Sequence, residues 1–295
     1  MNKKYVIITI AVIIVIIGII VIGNLNKENV KENDNLKIVT SFYPMYIMTM
    51  NITNGVEDVQ VSNMAENYVG CIHDYTLKTE DLKKFENANI FIENGYGMEA
   101  FSQKIIDSYP QVKIIESAKG ITDVIKEESG DVNAHFWTSI DNYILQVQEI
   151  ANQLSNIDSK NGDTYKNNAN TYIQKLNDLK NSYEDKIESL KGKKVISLNE
   201  SFSYLFKTLG IEEILIETDH EQSSLSAETV KNVIDKMNEE NINSIIIAEN
   251  DNEQNAKAIA EETGAKVYKL KDGMSGDNSL DSYINDMKYN FEIFD

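Results

Sequence analysis

Two histidines carry the clearest chemical signal in the chain: His73, within Gly70-Cys71-Ile72-His73-Asp74-Tyr75, and His135, within Asn133-Ala134-His135-Phe136-Trp137. Each falls in a loop between an apolar run and a helical pattern, in a chain of 295 residues with only three histidines. A neutral imidazole offers a lone pair at ordinary pH, which makes histidine the commonest side-chain metal ligand. Taken singly, each could be a surface or packing residue; placed alike in two loops, they point to metal. The single cysteine, Cys71, excludes an internal disulfide and stands two residues before His73, within range to act as a soft ligand. The sequence favours a plainer role for it, a small and partly buried packing side chain.

The elements that must position these loops alternate along the chain. Apolar runs at 36–40, 59–61, 90–92 and 112–115 read as strands. Helical stretches fall between them, beginning at Pro44, at Thr79 with its capping pattern, and over 100–108. The loop over 117–137 carries His135 and runs into a helix near Ile140. Such alternation implies right-handed crossovers and a parallel sheet. Then Tyr165, Ala169, Tyr172, Leu176, Leu179, Tyr183, Ile187 and Leu190 follow at spacings of fours and threes, one apolar stripe on a single helix. Such a helix over 163–190 would be roughly 40 Å long. The strand–helix rhythm resumes with runs at 195–198, 214–216, 244–248 and 266–270, and an amphipathic helix over 280–294 ends the chain.

The expected fold class is α/β, with two Rossmann-like lobes of parallel sheet joined by one long rigid backbone helix. The expected divisions are an N-terminal membrane anchor or uncleaved signal at 1–23, a tether at 24–35, an N-terminal metal-binding lobe at 36–160, a linker helix at 161–192 and a C-terminal metal-binding lobe at 193–295. The anchor is inferred from Lys3 and Lys4 ahead of an Ile- and Val-rich run at 6–22. About 18 apolar residues suffice to cross a bilayer core, and the leading cations leave the rest of the chain outside the cell. The exit Gly23-Asn24-Leu25-Asn26 has no Ala-x-Ala and no cysteine to take a lipid, so the run reads as uncleaved; cleavage near Gly23 would secrete the protein instead. A net charge of −19 argues against nucleic-acid binding and raises the local concentration of cations, although solubility alone accounts for an acidic surface.

In open parallel sheets, ligands bind beyond the carboxyl ends of the strands. His73 and His135 lie there in the first lobe, and Asn199, Glu200, His220, Glu249 and Asp272 in the second. Two imidazoles with carboxylates suit zinc or manganese, whereas magnesium and calcium prefer cages of oxygen.

From Leu36 onward the chain resembles the metal-binding (zinc and manganese) substrate-binding subunits of bacterial ABC importers, the cluster A-I or zinc-uptake solute-binding family. The residues that carry the likeness are His73-Asp74-Tyr75 after a glycine, Asp81-Leu82-Lys83-Lys84, Ala88-Asn89-Ile90-Phe91 and Asn94-Gly95. They continue with His135-Phe136-Trp137-Thr138-Ser139, Tyr165, Asn168, Tyr172 and Leu176, Asp272-Gly273-Met274, and the stretch from Asp281-Ser282-Tyr283 to Asn290. The resemblance implies His73, His135 and Asp272 as ligands to a transported Zn2+ or Mn2+, zinc ahead of manganese. It departs at the third ligand: the family has His or Glu three residues before Phe202, and this chain has Asn199. Glu200 and His220 are the alternatives to fill that place. The usual proline before the first ligand is also absent, since Ile72 precedes His73. The implied function is extracellular capture of the metal and delivery to an ABC permease and its ATPase, by a monomer without catalytic turnover. The competing expectations are a zinc-dependent hydrolase and a surface adhesin or scavenger without an import role. The chain shows no His-Glu-x-x-His, nucleophile elbow or phosphate-binding glycine loop for hydrolysis.

Overall fold

Runs of β-branched residues buried on both faces are what a helix-covered parallel sheet requires, and the inner strands have that character. In a computed structural model describing residues 35–66, 68, 70–127, 129–216 and 225–294, every residue of β3 (Ile90–Glu93) is buried, as are four of five in β7 (Ser244–Ala248). The first sheet holds β1 (Leu36–Thr40), β2 (Val59–Asn63), β3 and β4 (Lys113–Glu116) in the order β2-β1-β3-β4, all parallel. The second repeats that order as β6-β5-β7-β8, with β5 (Lys194–Ser197), β6 (Glu212–Leu215) and β8 (Lys266–Leu270). In each sheet the winding reverses beside the first strand, between β1 and β3 and between β5 and β7, which opens a crevice at the carboxyl ends. Residues 6–22 and His220 lie outside the described residues.

The helices are α1 (Tyr43–Ile52), α2 (Thr79–Lys83), α3 (Ser102–Ser108), α4 (Ile140–Ile157), α5 (Gly162–Ser182), α6 (Glu184–Leu190), α7 (Ser203–Leu209), α8 (Ala227–Glu240), α9 (Gln254–Thr263) and α10 (Ser282–Glu292). The stripe expected on one helix over 163–190 is divided between α5 and α6. At Tyr183 the backbone leaves helical geometry (φ −111°, ψ 14°), and the ring packs on Phe291 at 5.3 Å while its hydroxyl donates to Glu292. The break turns α6 so that Ile187 and Leu190 stay buried.

Helices α4 and α5 form an antiparallel hairpin. Tyr165 OH donates to Asp158 at 2.6 Å across the turn, and a Cβ at Gly162 would lie a tight 3.2 Å from the Ser155 carbonyl, so the close approach favours glycine there. Helix α5 touches both lobes: Asn168 Nδ2 donates to the Ile52 and Asn54 carbonyls, each at 2.9 Å, and Lys175 pairs with Asp281 at 2.8 Å. Between the lobes, Tyr143 of α4 stacks on Tyr283 of α10 with ring centroids 3.6 Å apart. One apolar core therefore runs from Ile38 and Phe91 through Trp137 and Tyr143 to Phe202, Ile246 and Phe291. A smaller core around Val233, Ile245 and Ile259 lies under α8 and α9.

A buried carboxyl pair sits at the end of the first sheet. Glu99 accepts hydrogen bonds from Ser41 Oγ (2.7 Å), Asn94 N (2.8 Å) and Gly95 N (3.1 Å), and Glu93 accepts from Ser102 Oγ. Burial, and for Glu93 the charge of Glu99, holds both groups well above the usual carboxylate range. The folded state thus keeps protons that the unfolded chain releases, and stability falls as pH rises from the ordinary carboxylate range toward neutrality. Urea unfolding between about pH 5 and pH 8 should show this decline. Glu93→Gln should flatten the slope, and an unchanged slope would refute the assignment.

Candidate metal centre

The loop after β2 presents His73 from a single 3-10 turn, Ile72–Asp74, fixed on either side. Ile72 is fully buried beneath it. Behind it, Tyr75 OH donates to Asp81 at 2.7 Å, and Tyr68 OH donates to the Cys71 carbonyl at 3.1 Å. Burial of an apolar plug beside His73 lets a short loop hold a definite shape without regular secondary structure.

His135 is held by Asn133. The backbone N–H of His135 donates to Asn133 Oδ1 at 3.0 Å, which identifies that atom as the amide oxygen. His135 Nδ1 lies 3.0 Å from the same oxygen and must therefore be the protonated ring nitrogen, leaving Nε2 as the acceptor. The other end of the amide crosses to the second lobe, where Asn133 Nδ2 donates to the Glu200 carbonyl at 3.0 Å. Tyr204 OH donates to the Asn133 carbonyl at 2.8 Å, and Thr138 Oγ1 donates to the Ser201 carbonyl at 2.7 Å.

The two imidazoles meet, with ring centroids 5.9 Å apart and planes at 77°. Cys71 joins them: its sulfur lies 3.5 Å from His73 Nδ1 and 3.7 Å from His135 Nε2. Among the described residues, these are the His, Cys, Asp and Glu donors that converge closely enough to hold one ion, all within 4.8 Å of one another. Cys71 is partly buried, as expected, but its sulfur faces the rings and is not simply packing material. Burial pushes its thiol up to about 12 against a His73 backbone N–H, with the charges of Asp74, Glu200 and Asp272 adding to the rise.

Glu200 and Asp272 stand outside that close triad, near enough for their charges to act on it. Asp272 Oδ1 accepts from Met274 N at 2.9 Å, and its carbonyl accepts from Trp137 Nε1 at 2.8 Å. Burial raises the Asp272 carboxyl, with Asp251 and Glu249 adding to the effect against the Met274 N–H. Gly273, at φ +72°, carries the chain past the indole at a position where a Cβ would lie 3.6 Å from Trp137 Cδ1. Asn199 is a cap: Oδ1 accepts from Ser201 N at 3.0 Å, and Nδ2 donates to Asp251 at 2.9 Å. Both ends of its amide serve the loop. Asn133 is a functional residue that the sequence leaves unmarked: its position two residues before His135 suits a local Asx bond but gives no sign of the bond to Glu200.

Comparison with known proteins follows the same outline. The profile of the family described as "Zinc-uptake complex component A periplasmic" matches residues 38–295. The manganese ABC transporter substrate-binding lipoprotein PsaA of Streptococcus mitis is 24% identical over 287 residues, covering 90% of each chain. The iron-binding protein YfeA of Yersinia pestis is 26% identical, covering 84% of this chain and 82% of its own length. Among solved structures, the laminin-binding protein Lmb of Streptococcus agalactiae, described as bifunctional with adhesin and metal-transporting activity, superposes with a TM-score of 0.77. It is 26% identical, over 88% of this chain and 97% of its own.

Asn133→Ala should leave the His135 tautomer unset and the Glu200 carbonyl without this partner. Loss of such an orienting group typically costs about 10- to 100-fold in metal affinity. Calorimetric zinc titration should show that loss, and nitrogen NMR of His135 should show mixed tautomers in the variant; a single unchanged tautomer would refute the role.

Proposed function

Because the chain belongs to the zinc-uptake complex component A family, we propose that it captures a divalent transition metal outside the cell, zinc ahead of manganese, and hands it to an ABC permease and its ATPase. The family is one of metal solute-binding proteins, which supports binding and transfer without turnover as the proposed work. The observation that carries this reading is the meeting of His73 and His135 at the carboxyl ends of the first sheet, with His135 Nε2 set as an acceptor. Imidazole suits zinc, whereas manganese leans toward carboxylate, carbonyl and water. Asp272, together with either Glu200 or His220, is proposed to complete the ligand set from the second lobe. The relatives bear the names of different metals at similar identity, so the ion is chosen by a few side chains and not by the fold.

His73→Ala or His135→Ala removes one strong donor. Zinc affinity should fall at least about tenfold, on the order of 1.4 kcal/mol. Titrations with zinc and manganese that leave both variants unchanged would overturn the reading.

The protein is further proposed to be held at the outer face of the cell membrane by residues 6–22. PsaA of S. mitis is named a lipoprotein, but the sole cysteine of this chain is Cys71, far from that run. Among the described residues no helix is long and apolar enough to cross a membrane, and the reading rests on the apolar run behind Lys3 and Lys4. Joint Ile13→Lys and Ile16→Lys substitution should abolish membrane insertion, at roughly 3 kcal/mol per charge. A native chain whose measured mass begins near Asn24 would show secretion instead.

A further inference from the structure

The spacing of donors at the site bears on which metals it accepts. Zinc–sulfur and zinc–nitrogen bonds of about 2.3 Å and about 2.0–2.1 Å, opened to the tetrahedral angle, put sulfur and nitrogen about 3.6 Å apart. Cys71 Sγ stands 3.5 Å from His73 Nδ1 and 3.7 Å from His135 Nε2. The separations match a zinc coordination shell, the first within one loop and the second across to another loop that is fixed independently. Tyr68 holds the Cys71 carbonyl and Ile72 is buried beneath, while Asn133 turns the His135 ring from the other loop.

We propose that Cys71 is itself a metal ligand, binding as the thiolate together with His73 and His135, so that the site takes thiophilic ions such as zinc and discriminates against manganese. This rests on the metal-capture reading of the same site and narrows its substrate class. Thiolate donors favour zinc and softer ions, whereas manganese prefers oxygen. Two nitrogens and one sulfur leave a single place in a tetrahedral shell, so only one of the proposed second-lobe donors, or a water in its stead, binds directly. On binding, a sulfur–metal bond forms, the S–H bond breaks and the proton passes to water; no electron is transferred. Cys71 also stands in electrostatic reach of Glu200 and Asp272, so the entering cation meets negative charge beside it.

Cobalt(II) tests the assignment, because a cobalt–thiolate bond gives an intense near-ultraviolet charge-transfer band that imidazole and carboxylate do not. The full chain, purified in detergent and loaded with Co2+, should show that band along with visible ligand-field bands of bound cobalt. Cys71→Ser should lose the former and keep the latter. Its zinc affinity should fall at least about tenfold while manganese affinity changes less than about threefold. Wild-type protein with bound cobalt but no charge-transfer band overturns the thiolate assignment alone, and needs no variant to fold. Failure to bind cobalt or zinc at all overturns it together with the metal-capture reading. Equal losses of zinc and manganese affinity in Cys71→Ser would also overturn it, since they would indicate a structural role.

Discussion

The amide of Asn133 is the contact on which the arrangement of this molecule turns. It is 1% exposed, and a buried amide must find partners for both ends or cost the fold the desolvation of each. Its oxygen sets the ring of His135 and its nitrogen holds the Glu200 carbonyl in the opposite lobe. The aim of one donor and the seating of two lobes are therefore a single constraint. Nearby bonds run the same way: Thr138 to the Ser201 carbonyl, Trp137 to the Asp272 carbonyl, and Tyr283 OH to the Trp137 carbonyl at 2.8 Å. Each joins a side chain on one lobe to backbone on the other, so the lobes are positioned by groups that cannot slide without leaving a buried donor unpaired.

The fold was legible because it is written in local patterns. Runs such as Ile90 to Ile92 and Ser244 to Ala248 have the length and branching of buried parallel strands, and their alternation with helices led to two sheets of matching order. His73 and His135 were legible as candidate donors for a similar reason, since each closes a loop after a strand. What the pattern could not reveal depends on contacts distant in sequence. The stripe through Tyr183 keeps its spacing across the helix break, because the break serves a contact with Phe291 and Glu292 more than 100 residues away. Asn199 stands where the resemblance implies a ligand, yet its side-chain bond, to Asp251, reaches a residue two strands further along the chain. Nor does any local rule orient Cys71, whose sulfur could have faced the core or the imidazoles with the same residues on either side.

Sequence identity of about a quarter with proteins named for manganese and for iron, and a shared architecture with one named for laminin binding, separates scaffold from specificity. The scaffold supplies a crevice at the strand ends of two sheets. A handful of side chains around it, on loops fixed by buried plugs and amide bonds, then decides the chemistry.

The stacked pair Tyr143 and Tyr283, beside Trp137, has a consequence for time as well as for shape. These rings are at most 3% exposed, and they form the seam between the lobes. Parting that seam would wet on the order of 200–400 Å² of apolar surface, a cost of roughly 5–10 kcal/mol. Fewer than about one molecule in a thousand would stand open at any instant. An ion held between the lobes as proposed would then leave on a schedule set by how seldom the rings separate.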